Sequence, residues 1–203
     1  MGKGVNKVFI QLAGRSVLQR ALSWFSNDEH CERIVLVVHP NEETRIRQSF
    51  NADKIVIGGQ TREESVRNAL KHVDSSYVMI HDGARPFIGH ETMKRLKKAM
   101  ADSQAVSPAV AVSDTLKRVQ AGIIVENIDR EGVCRMQTPQ GFHTDTIKEA
   151  HRIAKEKGMR ATCDVSLVEA TLSIKASVVE GDSRNIKLTT PEDLSMLELI
   201  VHE

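Results

Sequence analysis

Aromatic residues are scarce, at 3% of the 203 residues. A core of ordinary size must then rest on Val, Ile, Leu, Ala and Met. The scarcity also argues against the stacking platforms that bind single-stranded nucleic acid. Cysteine is sparse too: Cys31, Cys134 and Cys163 are odd in number and widely spaced, with no Cys-x-x-Cys. Neither a disulfide framework nor a structural zinc site is expected from them. Charge of one sign is lacking, since the formal net charge is only +1. A general nucleic-acid coat needs a large basic excess. No apolar run approaches the roughly 20 residues of a membrane span. The opening residues Met1 to Lys7 hold no apolar signal-peptide core. The expected setting is reducing and cytoplasmic, with neither membrane nor nucleic acid as partner.

Hydrophobic residues make up 40% and charged residues 27%, enough to bury a core. The length suits one domain over residues 1–203. Short apolar runs alternate with amphipathic stretches. Arg33–Val38, Lys54–Ile57, Ser76–Ile80 and Ala105–Val112 read as buried strands. Helices are predicted from Asn41, as cap, to Phe50 and from Thr61 to about Val73, where Thr61 and Glu64 make a capping-box pattern. Further helices are predicted over Glu91–Met100, Thr144–Lys157, Asp164–Thr171 and from Pro191, with Thr190 as cap, and a strand over Ala176–Val179. This βαβα rhythm predicts an α/β fold with a mostly parallel sheet flanked by helices. Ligands in such sheets sit at the carboxyl ends of the strands.

The rhythm breaks after Val112. Residues 115–119 and 123–128, joined through Ala121-Gly122, read as a protruding β-hairpin. A lone hairpin is marginal in water, so an arm over 113–132 is expected to pack on a second copy.

Four segments suit phosphate chemistry. Gly58-Gly59-Gln60-Thr61-Arg62 joins a strand to a helix, where glycines admit a close ligand and helix N–H groups are free; it is equally an ordinary tight turn. In His81-Asp82-Gly83-Ala84-Arg85-Pro86-Phe87, Asp82 suits ribose or metal and Arg85 suits phosphate; the two also suit a pair that shapes the loop. His81 reads as structural rather than catalytic. Thr138-Pro139-Gln140-Gly141-Phe142 reads as a turn offering a hydroxyl. Asn185-Ile186-Lys187 ends just before a capped helix and carries a lysine there.

Asn6-Lys7-Val8-Phe9, Gly58-Gly59-x-x-Arg62-x-x-Ser65-Val66, His81 to Phe87, Asp114-Thr115-x-Lys117, Thr138-Pro139-Gln140 and Asn185 to Asp193 occur in that order along nearly the whole chain. Together they resemble the 2-C-methyl-D-erythritol 4-phosphate cytidylyltransferases of the non-mevalonate isoprenoid pathway. The resemblance implies a Rossmann-like nucleotidyltransferase fold, CTP with Mg²⁺, a polyol phosphate substrate and a homodimer. It implies Lys7, Lys187 and Arg130 as catalytic residues. Gly59, Gln60, Ser65 and Asp82 would bind nucleotide. Arg85, Thr115, Thr138, Arg130 and Lys187 would hold the polyol phosphate, with no metal ligand set of the chain's own. Arg130 would reach a site shared between chains.

The sequence departs from the family pattern in three places. The family opens with a strand and a loop of the form Ala-Ala-Gly-x-Gly-x-Arg-Met, whose methionine aligns with Met1. From that alignment either the start lies at an internal methionine or the chain is a truncated, non-catalytic binding dimer. Gln60 stands where many members have Asp; its amide still donates and accepts. Cys163-Asp164 replaces two adjacent acids. Another polyol phosphate, such as ribitol 5-phosphate, would use the same fold.

Overall fold

A computed structural model describes residues 6–50 and 52–202. Met1, with which the methionine of the family's loop aligns, and the residues after it to 5 lie outside the described residues. The described chain begins with a 3-10 turn, Lys7–Phe9, and a two-stranded ribbon of β1 (Gln11–Leu12) and β2 (Arg15–Ser16). Helix α1 (Val17–Ser26) follows, closed by a Ser16–Gln19 capping box. Next come β3 (Val35–Val38), α2 (Glu43–Ser49), β4 (Lys54–Ile57), α3 (Arg62–Leu70), β5 (Tyr77–Ile80), α4 (His90–Met100) and β6 (Ala105–Ala111). The hairpin is β7 (Leu116–Gln120) and β8 (Ile123–Ile128). After it come β9 (Cys134–Met136), β10 (Gln140–His143), α5 (Thr144–Lys157), α6 (Asp164–Leu172), β11 (Ser177–Glu180) and α7 (Pro191–Ile200).

The largest sheet has the order β11-β6-β10-β5, with β9 extending the β10 side of β6. Strands β5, β6 and β11 share one direction, and β10 runs against both of its neighbours. A second sheet pairs β3 and β4 in parallel. Among the described residues, β4 pairs only with β3 and β5 only with β10.

Side-chain alternation in the large sheet explains why its strands read as continuous apolar runs. In β5, Val78 and Ile80 face a cluster built by Ile147 and Ala150 of α5 and Val165 and Val168 of α6. Met79 faces the opposite cluster, with Leu96 and Met100 of α4. Ala105 and Val106 of β6 divide between the same two clusters. Both faces are therefore covered by helices, and neither can be polar. Gly141 leaves room for Met100 in β10, because a Cβ there would come within 2.4 Å of Met100 Sδ and force that side chain to move.

Three local expectations need correction. Asn41 does not cap a helix. It lies in a 3-10 turn whose cap is the His39 ring, and Pro40 holds that first turn before α2 begins. Thr61 caps α3 by accepting from Glu64 N–H. The reciprocal bond of a capping box is absent there, since Glu64 reaches Gln60 N–H instead, at 2.8 Å. The segment 138–142 is only partly a turn: from Gln140 it becomes β10, inserted between β5 and β6. The hairpin forms as predicted. Ala121 and Gly122 both hold positive φ, at 48° and 81°, the geometry of a two-residue hairpin turn.

Candidate active site

Five segments meet beyond the carboxyl ends of β4 and β5. They are the β4–α3 loop, the loop after β5, the β9–β10 connection, the start of α6 and the segment before α7. Packing under the loop after β5 is apolar: Ala84 and Leu188 are buried in a cluster that also takes Val8 and Ile10. The backbone adds a bond from Leu188 N–H to Ala84 O, at 2.9 Å. The two segments carrying Asp82 and Lys187 are thus fastened side by side, and the turn that carries Lys7 packs on the same cluster.

Asp82 is the centre of charge. Lys187 Nζ lies 2.8 Å from its Oδ2, Arg85 Nε 3.7 Å from the same oxygen and Arg62 Nε 3.9 Å from Oδ1. Burial by itself would raise the Asp82 carboxyl; Lys187 first, then Arg62 and Arg85, outweigh it and hold the group below the usual carboxylate range. Burial also draws the Arg85 guanidinium downward, against the pull of Asp82. Arg85 Nε is buried and without a hydrogen-bond acceptor among the described residues.

Arg62 extends this cluster inward. Its Nη2 lies 2.6 Å from Oδ2 of Asp164, which is 1% exposed. His151 Nε2, on α5, is 3.4 Å from the other Asp164 oxygen, a long electrostatic contact rather than an aligned hydrogen bond. Gln140 Oε1 accepts from the N–H groups of Asp164 and Val165, fixing the start of α6. Three cations, Lys187, Arg85 and Arg62, thus share two carboxylates, Asp82 and Asp164. The excess is positive, which suits a phosphate-bearing ligand.

In the β4–α3 loop, Gly59 N–H donates to Ser65 Oγ at 3.0 Å, and Ser65 in turn donates to Thr61 O at 2.9 Å. A Cβ on Gly59 would come within 2.1 Å of the Glu64 side chain. Gln60 is exposed beside them. Thr138 is buried, and its hydroxyl accepts from Asp82 N–H at 3.1 Å.

Asp82, Arg85, Thr138 and Lys187 therefore come together, and Gly59, Gln60 and Ser65 lie in the segment that sends Arg62 to Asp82. Three expected residues do not join the group by a side-chain contact within the described residues: the turn of Lys7 packs beneath it without a bond from the ammonium to its members, and the other two lie on the arm. Thr115 is exposed at the base of the arm, and Arg130 bonds Ser113 O there. Arg62, Asp164, His151 and Asn185 belong to the site's framework without having been chosen as site residues. The one signal available was the presence of Arg62 and Asn185 within the family-like segments and of Asp164 beside the departure at Cys163.

A helix-flanked α/β sheet with a cationic, phosphate-suited cluster at its strand ends is the arrangement of a nucleotidyltransferase-like protein. The sequence profile of IspD, 2-C-methyl-D-erythritol 4-phosphate cytidylyltransferase, matches residues 1–203. The chain belongs to that family. It is 44% identical to the 2-C-methyl-D-erythritol 4-phosphate cytidylyltransferase of Geobacillus thermodenitrificans over 208 residues, covering 99% of this chain and 91% of that protein. The solved 4-diphosphocytidyl-2C-methyl-D-erythritol synthase of Anaerococcus prevotii superposes with a TM-score of 0.88 at 30% identity, covering 100% of this chain and 92% of that one. The cytidylyltransferase of Thermus thermophilus gives a TM-score of 0.85 at 31% identity, covering 97% and 94%.

Proposed function

We propose that this chain transfers the cytidylyl group of CTP to 2-C-methyl-D-erythritol 4-phosphate, releasing pyrophosphate, in isoprenoid precursor synthesis. The observation that carries this is the convergence of Lys187, Arg85 and Arg62 on Asp82 in a chain of this family. The substrate's phosphate oxygen attacks the α-phosphorus of CTP in line, and pyrophosphate leaves. A phosphate monoester is already nucleophilic near neutral pH, so positioning and charge neutralisation are the protein's tasks.

Lys187 and Arg85 hold phosphate and align the attack. Lys7 acts on the charge that develops at the α-phosphate. Gly59, Gln60 and Ser65 hold the cytosine, and Asp82 the nucleotide beside them. A magnesium ion would arrive on the phosphate oxygens of CTP, since Asp82 already faces Lys187, Arg85 and Arg62. Bound there, the ion would neutralise phosphate charge. Among the described residues no group of three or more His, Cys, Asp or Glu is placed to hold a metal alone.

Thr115 and Arg130 contribute to the polyol phosphate site from the arm of a second copy, in a homodimer. Val119, Ile123, Ile124 and Val125 support this, being 50–68% exposed on the arm. A register shift at Arg118/Val119 lies among them. Such a surface otherwise invites aggregation. A cytoplasmic setting is supported by the three unpaired cysteines. No helix among the described residues is long and apolar enough to cross a membrane.

The test is incubation of purified protein with CTP, Mg²⁺ and each polyol phosphate in turn, with the product identified by mass spectrometry. The expected product forms from 2-C-methyl-D-erythritol 4-phosphate. Turnover of ribitol 5-phosphate alone would contradict the substrate assignment.

A further inference from the structure

Apart from the ion pairs, four hydrogen bonds close into a ring beneath Asp82. His81 Nε2 lies 3.0 Å from Arg85 O, and Arg85 Nη1 donates to Asn185 O at 2.7 Å. Asn185 Nδ2 donates to Thr138 O at 2.8 Å, and Thr138 Oγ1 lies 3.0 Å from His81 Nδ1.

The proton positions follow from the partners. A carbonyl oxygen only accepts, so His81 Nε2 carries a hydrogen. Among the described residues neither ring nitrogen meets a carboxylate, since Nε2 meets a carbonyl and Nδ1 a hydroxyl, so nothing holds a second proton on the imidazole at neutral pH. Nδ1 is therefore an acceptor, and the Thr138 hydroxyl donates to it. Each member thus donates to the next in one sense around the ring. Thr138 oxygen also accepts from Asp82 N–H. The hydroxyl's single proton is committed within the ring, and what it turns toward any ligand is a lone pair.

The ring joins three segments distant in sequence. Asp82 lies between His81 and Arg85, and Lys187 follows Asn185 by two residues. Where the ring holds, the Asp82 carboxylate and the Lys187 ammonium meet at 2.8 Å. Among the described residues, Asn185 is buried with its Oδ1 unpaired, so its one bond to Thr138 O sets the direction of its amide.

We propose that His81 and Asn185 are positioning residues: with Arg85 and Thr138 they fix the Asp82–Lys187 pair, and the Thr138 hydroxyl serves His81 rather than donating to a substrate phosphate. This rests on the assignment of Asp82 and Lys187 to nucleotide and substrate above.

Two measurements test it. The first uses the unmodified, ¹⁵N-labelled protein. Long-range ¹H–¹⁵N spectra should show His81 neutral with its proton on Nε2 at pH 7. A proton on Nδ1, or a doubly protonated ring, overturns the proposal whatever the variants do. The second compares His81→Phe, Thr138→Val and the double variant. Losing one such hydrogen bond should lower kcat about tenfold in each single variant. The double variant should lose clearly less than the product of the two single losses, because the His81–Thr138 bond is removed by both. Thr138→Ser should recover most of what Thr138→Val loses. Additive losses of about a hundredfold, or a Thr138→Val defect confined to the KM of the polyol phosphate, would place the hydroxyl on the substrate and refute the ring. Wild-type turnover with CTP is measured alongside. Its absence counts against the assigned reaction, while the tautomer spectrum still decides the ring.

Discussion

Replacing Asp164 by Asn removes one charge with almost no change in volume, at a carboxylate that is 1% exposed and 2.6 Å from Arg62 Nη2. Breaking a buried pair costs about 3–5 kcal/mol when the partner stays buried and unpaired. Arg62 is 37% exposed, so water can rehydrate it, and the expected loss is smaller, about 2–3 kcal/mol. For a chain of this size that lowers Tm by roughly 5–10 °C. Acid should erase the difference. Burial pulls the Asp164 carboxyl upward, but His151 and Arg62 outweigh it and hold it below the usual range. A group depressed in the folded state adds stability above its unfolded value, about 3.9. That contribution fades as pH falls through the lower folded value. Thermal melts followed by circular dichroism from pH 7 to pH 3 should show a full gap at neutral pH that narrows below about pH 4. A gap unchanged across the series, or none at pH 7, would refute the assignment of Asp164 as the buried anchor of Arg62.

Other outcomes are expected at the site and the arm. Lys7→Ala should lower kcat far more than it weakens CTP binding, since a lysine acting on developing charge contributes in the transition state; steady-state kinetics beside calorimetric titration separate the two. Gly59→Ala should raise the KM for CTP at least several-fold, because a Cβ within 2.1 Å of Glu64 displaces the carboxylate that holds Gln60 N–H. An unchanged KM would show that the loop does not touch the nucleotide. Ile123→Asp with Ile124→Asp should give a monomer by light scattering. Mixed Lys7→Ala and Arg130→Ala chains should regain activity as heterodimers, each holding one intact site; persistent inactivity of proven heterodimers would place Arg130 in its own chain's site.

Much of the scaffold was legible because burial on both faces leaves a plain mark. Lys54–Ile57 and Thr144–Lys157 were bounded correctly, the first by its β-branched run and the second by a strong 3.6-residue period. Strand β10 was not, because Pro139 and Gly141 carry turn chemistry. Its place between β5 and β6 is decided by Phe142 packing against α5 and α6 and by the room Gly141 leaves for Met100. The ribbon and helix over 11–26 went unread; its short strands make only a local pairing. At the site, Asp82, Arg85 and Lys187 could be picked out as charges at strand ends. The Arg62–Asp164–His151 chain could not. Asp164 lies 102 residues from Arg62 and 13 from His151, and no local pattern in a single sequence marks such a pairing. The proton order of the His81 ring depends likewise on which atoms face one another in space.

The most direct measurement of the central claim is pyrophosphate release by the purified protein with 2-C-methyl-D-erythritol 4-phosphate, Mg²⁺ and each of CTP, UTP, ATP and GTP. Release with CTP well above the other three, abolished when the polyol phosphate is left out, is the predicted result. A preference for ATP or GTP, or release that does not depend on the polyol phosphate, would contradict it.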